Sequence, residues 1–122
     1  MLRDSAIFHM GPIVRKNSDH KYEIVSGGPT TSSRMNPFQT QVNRIIGNRF
    51  VIGKGGMSGV SWDDPTAVYL QYPGGVGALT AKFVEEVVHV QWIELGPEAS
   101  WFIKVKNFGP LLVVIDSNNS HL

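Results

Sequence analysis

The chain has 122 residues, 42% of them hydrophobic and 17% charged, with a formal net charge of +1. That length suits one domain able to bury its own core. The absence of cysteine excludes a disulfide framework, a zinc ribbon and a thiol nucleophile.

The 13 glycines and 7 prolines, set beside so few charges, favour short strands and tight turns over long solvated helices. Met1 to Asp4 leads into no apolar stretch of the kind a signal peptide needs. The longest aliphatic run, Leu111–Ile115, is far short of the roughly 20 residues that span a bilayer. A soluble protein is expected, in a virion or the cytoplasm. The charge is split along the chain. Residues 1–54 carry eight basic side chains against three acidic ones, and residues 55–122 carry three against seven. Such a division suits either local neutralisation within the fold or complementary faces on neighbouring subunits.

Residues 6–15 read as a strand or extended arm broken at Gly11-Pro12, and Asn17-Ser18-Asp19 as a turn. Tyr22–Val25 is a short strand that could pair across that turn. Residues 26–36, rich in Gly, Ser and Thr, form a linker-like stretch with little to bury. The first 36 residues therefore read as the arm-and-loop region of a single domain, 1–122. The clearest helix follows over 37–46. Asn36 is placed as its N-cap, Pro37 as its first residue and Gln39 as the capping-box partner. Phe38, Val42, Ile45 and Ile46 share one face, expected to dock on a sheet, and Gly47-Asn48 supplies the stop.

From residue 49 the pattern is β. Arg49–Ile52, Val60–Trp62 and Ala67–Tyr72 read as strands. Residues 78–86 fit a helix or a strand, and β-branched residues make 86–95 a strand. Trp101–Val105 alternates, and Leu111–Ile115 is a buried-type strand after the Asn107–Pro110 turn. Three consecutive strands on short turns predict an antiparallel meander. The fold class expected is mainly β, an antiparallel sandwich or small barrel with one short helix packed on it, with α+β as the alternative. The run Ile103–Pro110 resembles one strand of immunoglobulin-like sandwich modules, over too little of the chain to imply a function.

The chemical motifs fail one by one. Gly47 stands one residue too far from Gly53-Lys54 for a P-loop, and Gly55 replaces the hydroxyl residue that would hold magnesium. Gly74-Gly75-Val76-Gly77 could hold an anion on backbone N–H groups, but Thr80 stands in the third-glycine position. His9, His20, His89 and His121 lack metal-ligand spacing, and on a strand Glu85 and Glu86 point to opposite faces. Gly56-Met57-Ser58-Gly59 lacks the spacing of a nucleophile elbow. Arg34, Arg44 and Arg49 near Phe38 and Phe50 form a weak basic patch, and a net charge of +1 argues against nucleic acid.

No catalytic residue, cofactor or metal site is assigned. Ligand candidates are Gly74, Gly75, Gly77, Thr80, Trp92 and Trp101. The expectation is a non-catalytic assembly protein: a subunit of a symmetric homo-oligomer such as a virus particle (a capsid-decoration or tail-type protein) or a similar shell. The alternatives are a carbohydrate- or anion-binding β module using those candidates, and an enzyme whose site is assembled from distant residues.

Overall fold

A computed structural model describes residues 3–72 and 77–118. The chain divides into two compact units, Met1–His9 with Pro29–Pro73 and Pro110–Leu122, and Met10–Gly28 with Gly74–Gly109. Strands predominate and the sheets are open, which bears out the mainly-β, α+β class.

The first unit is built on a four-stranded sheet of β1 (Ala6–Phe8), β4 (Phe50–Gly53), β5 (Val68–Gln71) and β8 (Leu112–Ile115), in the order β1-β4-β5-β8. β4 runs parallel to both β1 and β5, and β8 closes the edge antiparallel to β5. The sheet is therefore mixed, where purely antiparallel pairing was expected. The register sets Val51 beside Tyr69 and Tyr69 beside Ile115. With alternate residues facing opposite ways, this row forms the core face. Val51 and Tyr69 are wholly buried, and Ile115, Trp62, Met57 and Ala67 complete the cluster. Trp62 reaches that core from a loop, since residues 60–62 form no strand. At the start of β1 the Asp4 carboxylate accepts from Arg49 Nε at 2.6 Å, tying it to the entry of β4.

Helix α1 (Gln39–Ile46) forms where the pattern predicts and stops at Gly47, whose φ of 73° is the left-handed conformation glycine supplies. Its start and its orientation differ from expectation. Asn36 caps nothing on the helix: its amide pairs with Ser58, donating to Oγ at 3.2 Å and accepting from the Ser58 N–H at 3.1 Å. Phe38 is 57% and Ile45 73% exposed, while Gln39 and Asn43 are fully buried. The buried face is thus polar, because partners from outside the helix meet its amides.

In the second unit, β2 (Met10–Lys16) and β3 (Tyr22–Pro29) form a ribbon. Asn17 Oδ1 organises its turn by accepting from the backbone N–H groups of Asp19 and Lys21. The proposed break at Gly11-Pro12 falls two residues earlier, at His9, between β1 and β2. Helix α2 (Gly77–Phe83) leads into β6 (Val84–Gln91), which pairs antiparallel with β7 (Ser100–Val105). A 3-10 segment, Ile93–Glu98, occupies what was read as the end of a strand. The β6–β7 hairpin is the part of the expected meander that forms. β8 joins β5 instead of β7, and Leu112 and Val113 are half-exposed.

Candidate anion-binding site

The stretch read as a linker is the most firmly held loop of the first unit. Thr30 N–H donates to the His9 carbonyl at 2.7 Å, and His9 N–H donates to the Ile52 carbonyl at 2.8 Å. Thr31 bridges to Lys54, and Ser32 N–H donates to the Lys54 carbonyl at 3.0 Å. Residues 30–32 therefore run on along the end of β4, and a 3-10 turn, Ser32–Met35, follows. Ser32 is wholly buried, against the expectation that this stretch had little to bury. Its hydroxyl fills the space where a Gly53 side chain would be, so any Cβ at Gly53 would collide with Ser32 Oγ. Tyr69 Oη donates to the Gly55 carbonyl at 2.7 Å. Burial pushes the Tyr69 phenol above its ordinary pKa, and the neighbouring Ser32 side chain opposes the shift. The 30–34 and 53–56 segments are thereby fastened together from below.

What faces solvent from these segments is cationic and polar. Thr31, Ser33, Arg34, Lys54, Gly55 and Gly56 are exposed. Arg34 Nη2 donates to Thr30 Oγ1 at 3.1 Å, which aims the guanidinium. No space near Gly55 or Gly56 is occupied by other atoms where a side chain would project, so a ligand can approach the backbone there. The ion pairs among the described residues are Arg15–Glu23, Arg49–Asp4 and Lys104–Glu85, and neither Arg34 nor Lys54 belongs to one. The sequence holds no acidic residue between Glu23 and Asp63. Two unneutralised cations flanked by hydroxyls and an open glycine backbone are suited to a carboxylate or phosphate.

Below the rim, His9 Nδ1 lies 2.8 Å from Ser32 Oγ and Nε2 lies 2.8 Å from Gln39 Oε1. Burial holds the imidazole below its ordinary pKa; the Gln39 hydrogen bond opposes this and the Arg34 charge adds to it. His9 is thus a buried neutral group.

The candidates named from sequence belong to the second unit. Gly74 and Gly75 lie outside the described residues. Gly77 opens α2, and Thr80 within it is fully buried. Trp92 is 55% exposed. Trp101 is half-buried, sits opposite Val90, donates to the Gly96 carbonyl at 3.2 Å and meets the Tyr22 ring edge-on at 5.5 Å. It lines an apolar groove of the second unit with Ile13, Ile93 and Pro97. Among the described residues no group of three or more His, Asp or Glu could hold a metal ion, and no helix is long and apolar enough to cross a membrane.

Sequence reasoning noticed Arg34 and Lys54 separately, one as part of a basic patch and the other in a failed P-loop. The signal that joins them is the acid-free stretch with hydroxyl and glycine residues beside each cation.

The chain matches the family described as Fumarase C-terminus over residues 1–122, and it belongs to that family. It is 46% identical over 125 residues to the L(+)-tartrate dehydratase subunit beta of Escherichia coli (strain K12), an alignment covering 99% of this chain and 62% of that protein. It is 36% identical over 125 residues to a Geobacillus stearothermophilus protein named "Putative fumarate hydratase class I", covering 99% of this chain and 24% of that protein. The chain therefore spans less than two thirds of the length of these relatives.

Family membership overturns the expectation of a virion, capsid or shell subunit, and with it the non-catalytic reading: the relatives are enzymes and enzyme subunits. The motif tests missed this for a physical reason. Each looked for a complete reaction centre at short spacing, whereas here two cations twenty positions apart lie on segments joined by the Thr31–Lys54 backbone bridge. The expectation of partners in an assembly stands in its coarse form, since the E. coli relative is a subunit.

Proposed function

We propose that this chain forms the carboxylate-binding part of a dehydratase acting on a small dicarboxylic acid, with L(+)-tartrate the favoured substrate and malate, which loses water to give fumarate, the runner-up. The observation that carries the reading is that Arg34 and Lys54 lie on two segments fastened to each other, both exposed and without a carboxylate partner. The names of the relatives supply the substrate class.

The roles follow from the chemistry of each group. Arg34 presents a planar fork that suits a carboxylate in bidentate fashion, and Thr30 fixes its direction. Lys54 adds a point charge. Loss of water from a hydroxy acid removes a proton beside one carboxylate while the hydroxyl departs from the neighbouring carbon. Negative charge then builds on the carboxylate oxygens, and preorganised cations there lower the barrier. This chain would bind, orient and neutralise the substrate. The group that takes the proton and the group that assists the hydroxyl's departure would come from a second subunit.

The test is steady-state kinetics on L(+)-tartrate with the assembled enzyme. Arg34→Ala and Lys54→Ala are each expected to raise KM by about 10- to 150-fold, the value of a hydrogen bond to a charged group. A KM within about twofold of wild type for both variants would overturn the reading.

A further inference from the structure

A file of buried polar side chains runs beneath the cationic rim, and anion binding does not itself use it. His9, Ser32, Gln39, Asn43 and Asn48 are all buried. Gln39 Oε1 can only accept, so the 2.8 Å contact from His9 Nε2 places the proton on Nε2. Nδ1 is then an acceptor, and the Ser32 hydroxyl donates to it at 2.8 Å. Gln39 Nε2 donates to Asn43 Oδ1 at 2.7 Å, and Asn48 Nδ2 donates to the same oxygen at 3.1 Å and to the Phe50 carbonyl at 3.2 Å.

This arrangement is costly as a stability device. Buried polar groups lose water and regain only what their partners return. Asn43 Nδ2 and Asn48 Oδ1 find no partner. Meanwhile Phe38 and Ile45, which would gain from burial, face outward. Turning α1 over would face Phe38 and Ile45 inward, but it would remove the Gln39 partner of the His9 ring on its Nε2 side. The file leads to Ser32, and Ser32 is the residue that holds the Lys54 carbonyl and fills the gap over Gly53.

We propose that His9, oriented by Gln39, is the positioning residue of the anion site: a neutral imidazole that accepts the Ser32 hydroxyl and so fixes the Thr30–Arg34 segment against Lys54–Gly55. The proposal rests on the carboxylate-binding reading above. His9 does not touch the substrate. It sets the spacing between two groups that do.

The experiment compares His9→Phe, His9→Gln and Ser32→Ala with wild type in the assembled enzyme on L(+)-tartrate. His9→Phe keeps a ring and loses both hydrogen bonds, and is expected to raise KM about tenfold with kcat changed by less than about threefold. His9→Gln, which offers a donor and an acceptor, is expected to recover part of that loss. Ser32→Ala removes only the hydroxyl and is expected to raise KM similarly, and it carries the test should His9→Phe not fold. Imidazole nitrogen shifts in the wild type are expected to show the proton on Nε2. A purely structural role would lower thermal stability and leave the KM of the folded enzyme unchanged. If Arg34→Ala and Lys54→Ala raise KM while His9→Phe and Ser32→Ala do not, the positioning role is wrong and the carboxylate site stands. If none of the four moves KM, the site itself is wrong. A proton found on Nδ1 would also overturn the proposal.

Discussion

The two units bury different things. In the first, Val51, Trp62, Tyr69 and Ile115 are almost completely enclosed, and a hydrogen-bonded polar file lies inside as well. In the second, Ile24 is the one large apolar side chain buried among the described residues, while Ile13, Val88, Trp92, Ile93 and Leu95 are exposed. Two-stranded ribbons are marginal on their own, and exposed apolar surface of this kind marks contact with something else. The contrast teaches where precision can reside. A site that must hold two cations at fixed spacing needs rigid supports, and the first unit has them. The indole candidates Trp92 and Trp101 sit in the unit that lacks them.

The largest expected effect that sharpens this contrast is in the first core. Trp62→Ala should cost about 3–5 kcal/mol in chemical denaturation. A loss below about 1 kcal/mol would mean that this core does not dominate stability.

A smaller effect is expected at Gly53→Ala. The new Cβ meets Ser32 Oγ and comes within 3.2 Å of His9 Nδ1. Overpacking of this kind costs about 1–3 kcal/mol. It should also raise KM by displacing Ser32; a wild-type KM in this variant would show that the 30–34 and 53–56 segments are not coupled.

Acid provides a third handle. Burial depresses the His9 pKa below the ordinary imidazole value of 6.5, so the unfolded chain takes up the proton first as pH falls. The contribution is fully present above 6.5 and is lost progressively below it. His9→Gln should flatten the stability profile on the acid side of 6.5, and an unchanged slope there would contradict the buried neutral state.

The smallest effect is expected in the second unit, where Trp92→Ala should stay within about 0.5 kcal/mol by the same denaturation measurement. A cost comparable to that of Trp62→Ala would erase the contrast between the units.

Local features of the fold were legible in the sequence. The helix before Gly47 and the strands at 50–53, 68–71 and 100–105 follow from periodicity and turn chemistry. Long-range ones were not. The parallel pairing of Ala6–Phe8 with Phe50–Gly53 joins segments more than forty residues apart, and no local pattern encodes it. The face of α1 misled because apolar spacing predicts burial only when the opposite face has no better partners, and His9 and Asn48 supply them. Thr30–Arg34 looked like a linker because composition records polarity and cannot show that Ser32 is enclosed. The site was half legible: Arg34 and Lys54 are visible as isolated cations, but the joining of their two segments depends on the 31–54 bridge.

The central claim is that the fastened cationic edge binds the substrate's carboxylate. Titrating the full chain with L(+)-tartrate while following backbone amide and indole resonances tests it most directly. Saturable shifts are predicted at Thr30–Arg34 and Lys54–Gly56, with the Trp92 and Trp101 indoles unmoved. Shifts centred on those indoles, with the 30–34 and 53–56 amides silent, would contradict the account.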